Sequence, residues 1–291
     1  MPIDKYPEDN ALLLLLRAIG AANLTFMNTK SPPPLPRVSA AASRLAVRLN
    51  KALADAGVCS RRKADELIRH GVVAVNGMVT RELGLRVLPS DEISVHGKTV
   101  CAPQARTWLL LNKPVHVVST TYDPEGRRTV LDILPEPWKT QRLFPVGRLD
   151  YFSEGLLLLT DDGERAHKIL HPGHRTPKVY HLLVRERPGE ASLQIMRAGM
   201  QLAEGERLAP VKARLLPSSA RLSYFPPHGT LIELTLIQGV NRQIRRMCRD
   251  LDLTVLRLAR VAHGAIHLGD LPPGSVRLLR DEEIASLRSA T

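Results

Sequence analysis

The sequence predicts an α+β protein: a small basic module of helices and a hairpin, then a larger domain in which strands and helices alternate irregularly. Three observations predict it. The chain has 291 residues, 44% of them hydrophobic, enough for two buried cores. Two amphipathic helical segments and an Asn-Gly hairpin signal crowd into residues 47–80. Beyond residue 105, strand signals recur without the regular alternation of a doubly wound parallel fold.

Residues 1–43 read as a tail and linker. The apolar run at 11–16 is too short for a membrane span, and Asp4, Glu8 and Asp9 against Lys5 are the wrong start for a secretion signal. Residues 31–36, SPPPLP, have a polyproline bias. Cys59, Cys101 and Cys248 lie far apart with no metal-ligand spacing, which fits a reducing cytoplasm and predicts no metal and no disulfide framework. The net charge of +12 favours a polyanionic partner, nucleic acid above all. No membrane partner is expected.

The basic module spans 44–104. Leu49, Ala52, Leu53 and Ala56 recur at helical spacing, and Gly57 ends that helix. Ser60 caps a second helix whose inner face is Ala64, Leu67 and Ile68, with Gly71 just past its end. Asn76-Gly77 turns a hairpin, and ISVHGKTV reads as one further strand. Arg61, Arg62 and Lys63 crowd the first turn of the second helix, where positive charge opposes the helix dipole. An RNA-phosphate grip explains them; a solvated charged face is the plainer alternative.

The larger domain spans 105–285. Strands are predicted at TWLLLNKP, HVVSTT, near the GRLD tetrapeptide of 147–150, at the apolar run 155–160, at KVYHLLV, LIELTLI and VRLL, and helices at 164–170, 191–199 and 241–251. EGRR at 125–128 is no phosphate loop. Three clusters carry possible chemistry. Arg148 and Asp150 sit on a short connection, where Gly147 supplies an unusual backbone angle, ahead of a buried strand; alone they are a surface ion pair of less than about 1 kcal/mol. Lys178 and Tyr180 share one strand face, and a tyrosine there stacks on a base or simply joins the core. Arg242, Arg245, Arg246 and Arg249 form one stripe at helical spacing and need anionic partners, while Ile244 and Met247 pack on the opposite side. His263 and His267 suit a strand pair and a structural place.

Two resemblances follow. LNKALADAGVCSRRKADELIRHGVVAVNG resembles an S4 RNA-binding domain. LNKP, STT, FPVGRLDYFSEGLLLLTDDGE, KVY, GVNRQIRRMC and LGDLPPG, in that order from Val47 to Leu279, resemble the pseudouridine synthases of the RsuA, RluB and RluF type. STT and GVNRQIRRMC look nearest the F branch, and LGDLPPG leans to the B branch. The resemblance implies a catalytic domain on a mixed, mainly antiparallel sheet that isomerises a uridine of ribosomal RNA, most often of the large subunit, to pseudouridine without a cofactor. Small-subunit RNA, a tRNA, or a non-catalytic RNA-binding role are the alternatives. It makes Asp150 the essential aspartate, Arg245 its ion-pair partner and Tyr180 the ring that stacks on the uracil. Arg148, Lys113, Arg242 and Arg246 join Arg61, Arg62 and Lys63 as RNA contacts. Val240 departs from the family, where a basic residue often precedes Asn-Arg-Gln, so phosphate contact there is expected to be weaker. A monomer bound to structured rRNA is the implied assembly.

Overall fold

The computed structural model describes residues 45–101, 105–171, 173 and 176–289, so the expected tail at 1–43 lies outside the described residues. The basic module comprises β1 (Val47–Arg48), α1 (Leu49–Asp55), α2 (Arg61–Arg69), β2 (Val73–Val75), β3 (Met78–Thr80), β4 (Arg86–Val87), β5 (Ile93–Val95) and β6 (Lys98–Thr99). Leu49, Leu53, Ala64, Ile68 and Val73 form its core. The predicted local signals act as expected. Gly57 and Gly71 take φ +80° and +69° after their helices, and the Ser60 hydroxyl accepts from the Lys63 N–H at 3.2 Å. Asn76 and Gly77, at φ 51° and 78°, turn β2 into β3. ISVHGKTV differs from its expectation. It is two strands, β5 and β6, because His96 and Gly97 adopt φ 50° and 74°, the same left-handed pair as Asn76-Gly77.

The larger domain runs β7 (Trp108–Lys113), β8 (Phe144–Val146), β9 (Glu154–Thr160), α3 (Gly163–Leu170), β10 (Lys178–Val184), α4 (Glu190–Ala198), β11 (Lys212–Leu215), β12 (Thr230–Leu236), α5 (Gln243–Asp250), β13 (Val255–His263), β14 (Ile266–His267), β15 (Val276–Leu278) and α6 (Asp281–Ser289). Its strands form one nine-stranded sheet in the order β11-β12-β10-β13-β9-β7-β15, with β14 on β13 and β8 on β9. Every pairing is antiparallel except β13 with β9, so the sheet is mixed and mainly antiparallel, as the family resemblance implies. HVVSTT is a loop, not a strand. Val118 makes a lone bridge to Thr129, and Ser119 turns inward to bond another loop.

Strand β9 is buried along its whole length, and its side chains alternate between two cores. Leu156 and Leu158 pack with Trp108, Ile169 of α3 and Leu287 of α6, while Leu157 and Leu159 face Val117, Val130 and Leu143 of the connection after β7. On the other half of the sheet, Leu182, Ile232, Leu234 and Leu258 pack under Leu193 and Met196 of α4 and Ile244, Met247 and Cys248 of α5.

The parallel junction is unusually close. Gly155 has φ +96°, and a Cβ there would lie 2.3 Å from the Arg260 carbonyl oxygen and 2.7 Å from its nitrogen. Only glycine allows the two backbones to meet. Glu154, 1% exposed, is neutralised by Arg257, whose Nε donates at 2.6 Å and whose second guanidinium arm bonds the other carboxylate oxygen.

The two regions are stitched at the end of α1. Arg106 Nη1 donates to the Asp55 carbonyl at 2.7 Å, and Arg142 donates to the Ala54 carbonyl. Both guanidinium groups meet the negative end of the helix dipole. Lys51 faces Glu164 of α3 at 3.7 Å.

Candidate active site

A cleft of about 740 Å³ opens on the sheet face between the end of α3 and the start of α5. The connection from β8 to β9 carries Asp150 into it. Gly147 turns that connection at φ +78°, with Leu170 only 3.2 Å from where a Cβ would stand. Three bonds lock its backbone from the neighbouring loop. Ser119 Oγ donates to the Leu149 carbonyl at 2.8 Å and accepts the Leu149 N–H at 3.1 Å. The His116 N–H donates to the Tyr151 carbonyl at 2.7 Å. The Ser153 N–H then returns to the Asp150 carbonyl at 3.0 Å, closing a tight turn. The STT motif therefore positions the Asp150 loop.

The Asp150 carboxylate is half-buried and, among the described residues, makes no side-chain hydrogen bond or ion pair. Arg245 lines the same cleft, but its Nη2 donates to the Phe152 carbonyl at 2.8 Å instead. Burial lowers the Arg245 pKa, opposed by the nearby charge of Asp150. The implied ion pair is thus a field interaction here, with no direct contact between the two groups. Tyr180 lies on β10, opposite Arg260 of β13, and projects to the cleft face beside Lys178.

The remaining expected contacts divide. Arg148 and Arg242 are exposed at the rim, and neither side chain has a partner among the described residues. Arg61, Arg62 and Lys63 are exposed on the first turn of α2, with Lys63 paired to Glu66 at 3.1 Å. Lys113 is a correction. It is 0% exposed, and its ammonium donates to the carbonyls of Pro114 at 2.9 Å and Val117 at 2.8 Å, so it cannot reach a phosphate. Burial pulls its pKa down to about 8, against the attraction of Glu154 and Asp150. Arg246 is a second correction, since its guanidinium is engaged by Glu206 at 2.7 Å and Glu204 at 3.1 Å. The arginine stripe is therefore split. Arg242 precedes the helix in a left-handed conformation, Arg245 turns to the cleft, and Arg246 and Arg249 hold acidic side chains, while Ile244 and Met247 are buried as predicted.

Several cleft residues were not singled out by sequence. Gln243 and Arg260 are 5% and 3% exposed. Both amide atoms of Gln243 and one Nη of Arg260 have no hydrogen-bond partner among the described residues. His263, read from sequence as structural, pairs in the expected β13–β14 hairpin, yet it lines the cleft with neither ring nitrogen partnered among the described residues. It stands directly across from Lys178 on β10, a pairing that sequence alone does not reveal.

The RNA pseudouridylate synthase family model matches residues 107–250, and the S4 domain model matches 47–93. An uncharacterized RNA pseudouridine synthase of Aquifex aeolicus is 41% identical over 246 residues, covering 84% of this chain and 94% of that protein. The chain belongs to the RNA pseudouridylate synthase family. Ribosomal large subunit pseudouridine synthase B of Bacillus subtilis is 41% identical over 242 residues, 83% of this chain and 96% of that one. Dual-specificity RNA pseudouridine synthase RluF of Escherichia coli is 36% identical over 243 residues, 83% and 78% respectively. A crystal structure of a pseudouridylate synthase aligns with TM-score 0.58 and 27% identity over 83% of this chain and 99% of that chain. Within this pseudouridine synthase, the S4 module precedes the catalytic sheet, as the sequence resemblance implies. Among the described residues, no helix is long and apolar enough to cross a membrane.

Proposed function

We propose that this enzyme converts a uridine of large-subunit ribosomal RNA to pseudouridine, acting as a cytoplasmic monomer, with Asp150, Tyr180 and Arg245 at the reacting nucleotide. The observation that carries the reading is the Asp150 carboxylate, held inside the cleft by a loop that Ser119 and His116 pin, with no hydrogen-bond or ion-pair partner among the described residues. A carboxylate so placed stabilises, or adds to, the electron-poor C1′ that appears as the glycosidic bond breaks. Arg245, anchored at Phe152, supports its charge without quenching it. Tyr180 offers a flat face to a base that has left the RNA stack. Arg148 and Arg242 at the rim, and Arg61, Arg62 and Lys63 on α2, take phosphates.

The test is tritium release from RNA labelled at C5 of uridine, with mapping of ribosomal and transfer RNA from cells with and without the gene. Asp150→Asn is expected to lower turnover at least about 10³-fold while RNA affinity stays within a few-fold. Pseudouridine formation by a purified mutant free of wild-type enzyme sinks the assignment of Asp150. Loss of a mark from transfer RNA alone sinks the large-subunit assignment.

A further inference from the structure

We infer that Arg260, Lys178 and His263 form a charge-accepting wall for the uracil anion released when the glycosidic bond breaks, a role that rests on the proposed uridine chemistry of the cleft. A bulge builds this wall. On β13, Ala262 pairs with Val179 and Arg260 with Tyr180, leaving Val261 as one extra residue. Without it, residues three apart would face opposite sides of the sheet. With it, Arg260 and His263 face the same side, directly across from Tyr180 and Lys178.

The groups are deep and under-used. Arg260 is 3% exposed; its Nε is spent on the Leu156 carbonyl at 2.7 Å, and one Nη has no partner among the described residues. His263 is 2% exposed, and neither ring nitrogen has a partner among the described residues. Lys178 donates to the Thr176 carbonyl at 3.1 Å and keeps donor capacity. Burial, then the charges of Arg260 and Lys178, push the His263 pKa down to about 3, so the ring is a neutral donor. Burial and Arg260 also lower the pKa of Lys178. Unsatisfied buried donors are costly and call for a ligand.

The charge balance says which ligand. Among the described cleft residues, Arg148, Lys178, Arg242, Arg245 and Arg260 face a single carboxylate, Asp150. Phosphates are met at the rim by the exposed Arg148 and Arg242. Arg260 and His263 lie too deep for a backbone phosphate with its ribose, but a flat base turned out of the helix reaches them beside Tyr180. As the C1′–N1 bond breaks, its electron pair stays on N1 and spreads to O2 and O4, where Arg260 and Lys178 donate. The base turns, a ring electron pair bonds C5 to the electron-poor C1′, the C5 proton passes to water, and water returns a proton to N1. Atoms and charge balance, and the anion is held while it turns.

The experiment compares two RNAs under single turnover, one with uridine and one with 5-fluorouridine at the target position, reading loss of the original nucleoside after digestion. Fluorine at C5 stabilises the anion by itself. Arg260→Gln is expected to slow uridine cleavage about 10- to 100-fold, the loss of one charge-assisted hydrogen bond from the breaking step, with RNA affinity unchanged and a deficit of only a few-fold on the fluorinated RNA. Lys178→Met, on the half-buried wall, carries the same comparison should Arg260→Gln fail to fold. Equal deficits on both RNAs, or a loss confined to RNA affinity, overturn the inference alone. A wild-type enzyme that makes no pseudouridine overturns the functional reading and this inference with it.

Discussion

Gly155→Ala tests the junction on which both the sheet and the cleft depend. The new methyl group would stand 2.3 Å from the Arg260 carbonyl oxygen and 2.7 Å from its nitrogen, and both contacts are to backbone. Restoring an ordinary separation of about 3.2 Å or more requires β9 and β13 to part by nearly 1 Å, in an interior packed to crystal density. Overpacking of this kind costs about 1–3 kcal/mol. A non-glycine residue held at φ +96° adds about 1–3 kcal/mol. The sum of about 2–6 kcal/mol lowers the melting temperature by at least about 4 °C and by up to about 24 °C for a protein of this size. The two strands also carry the Glu154–Arg257 pair and the Arg260 side chain, so the same shift disturbs the cleft floor. Urea unfolding gives the stability, and single-turnover pseudouridine formation gives the activity. A mutant within 1 kcal/mol of wild type, with unaltered turnover, would refute the reasoning.

Three further outcomes are expected. Lys113 has a folded pKa of about 8, below the unfolded value near 10.4, so the unfolded chain binds more protons between those limits and stability rises with pH across them. The contribution reaches about 3 kcal/mol, and the slope of unfolding free energy from pH 8 to 10.5 should be steeper in wild type than in Lys113→Met. Glu154→Gln leaves the Arg257 guanidinium facing a neutral amide and should cost about 3–5 kcal/mol in urea unfolding. Arg61→Ala and Arg62→Ala should each reduce the salt dependence of RNA binding by about one counterion, measured as the slope of log affinity against log salt, without changing the rate of the bound complex.

The parts of this protein legible in sequence are those whose signal is local. Ser60, Gly57 and Asn76-Gly77 act through their own backbone neighbours, so their roles can be read from residue type and spacing. His96-Gly97 makes the same turn, but histidine is a less usual residue in that conformation, and the second hairpin was hidden. HVVSTT carries the β-branched composition of a strand, yet Ser119 is taken up by the backbone of Leu149, thirty residues away. The start of β13 was hidden because Arg257 and Arg260 break its apolar pattern. Arg260 is buried and Arg257 half-buried only because a distant group, the Leu156 carbonyl or Glu154, receives each. In the site, motif order singled out Asp150, Tyr180 and Arg245, which line one cleft, whereas the Val261 bulge that turns Arg260 and His263 into it leaves no mark in composition.

The two arginines that grip the last carbonyls of α1 bear on how a target is chosen. They tie the S4 module to the catalytic domain at a helix end, through the carbonyls of Ala54 and Asp55. Under the proposed phosphate contacts, a module tied in this way would act as a ruler. With a structured RNA seated on α2, the cleft would favour nucleotides at one offset from that anchor, and selectivity would be a matter of distance along a folded RNA as much as of the bases nearby.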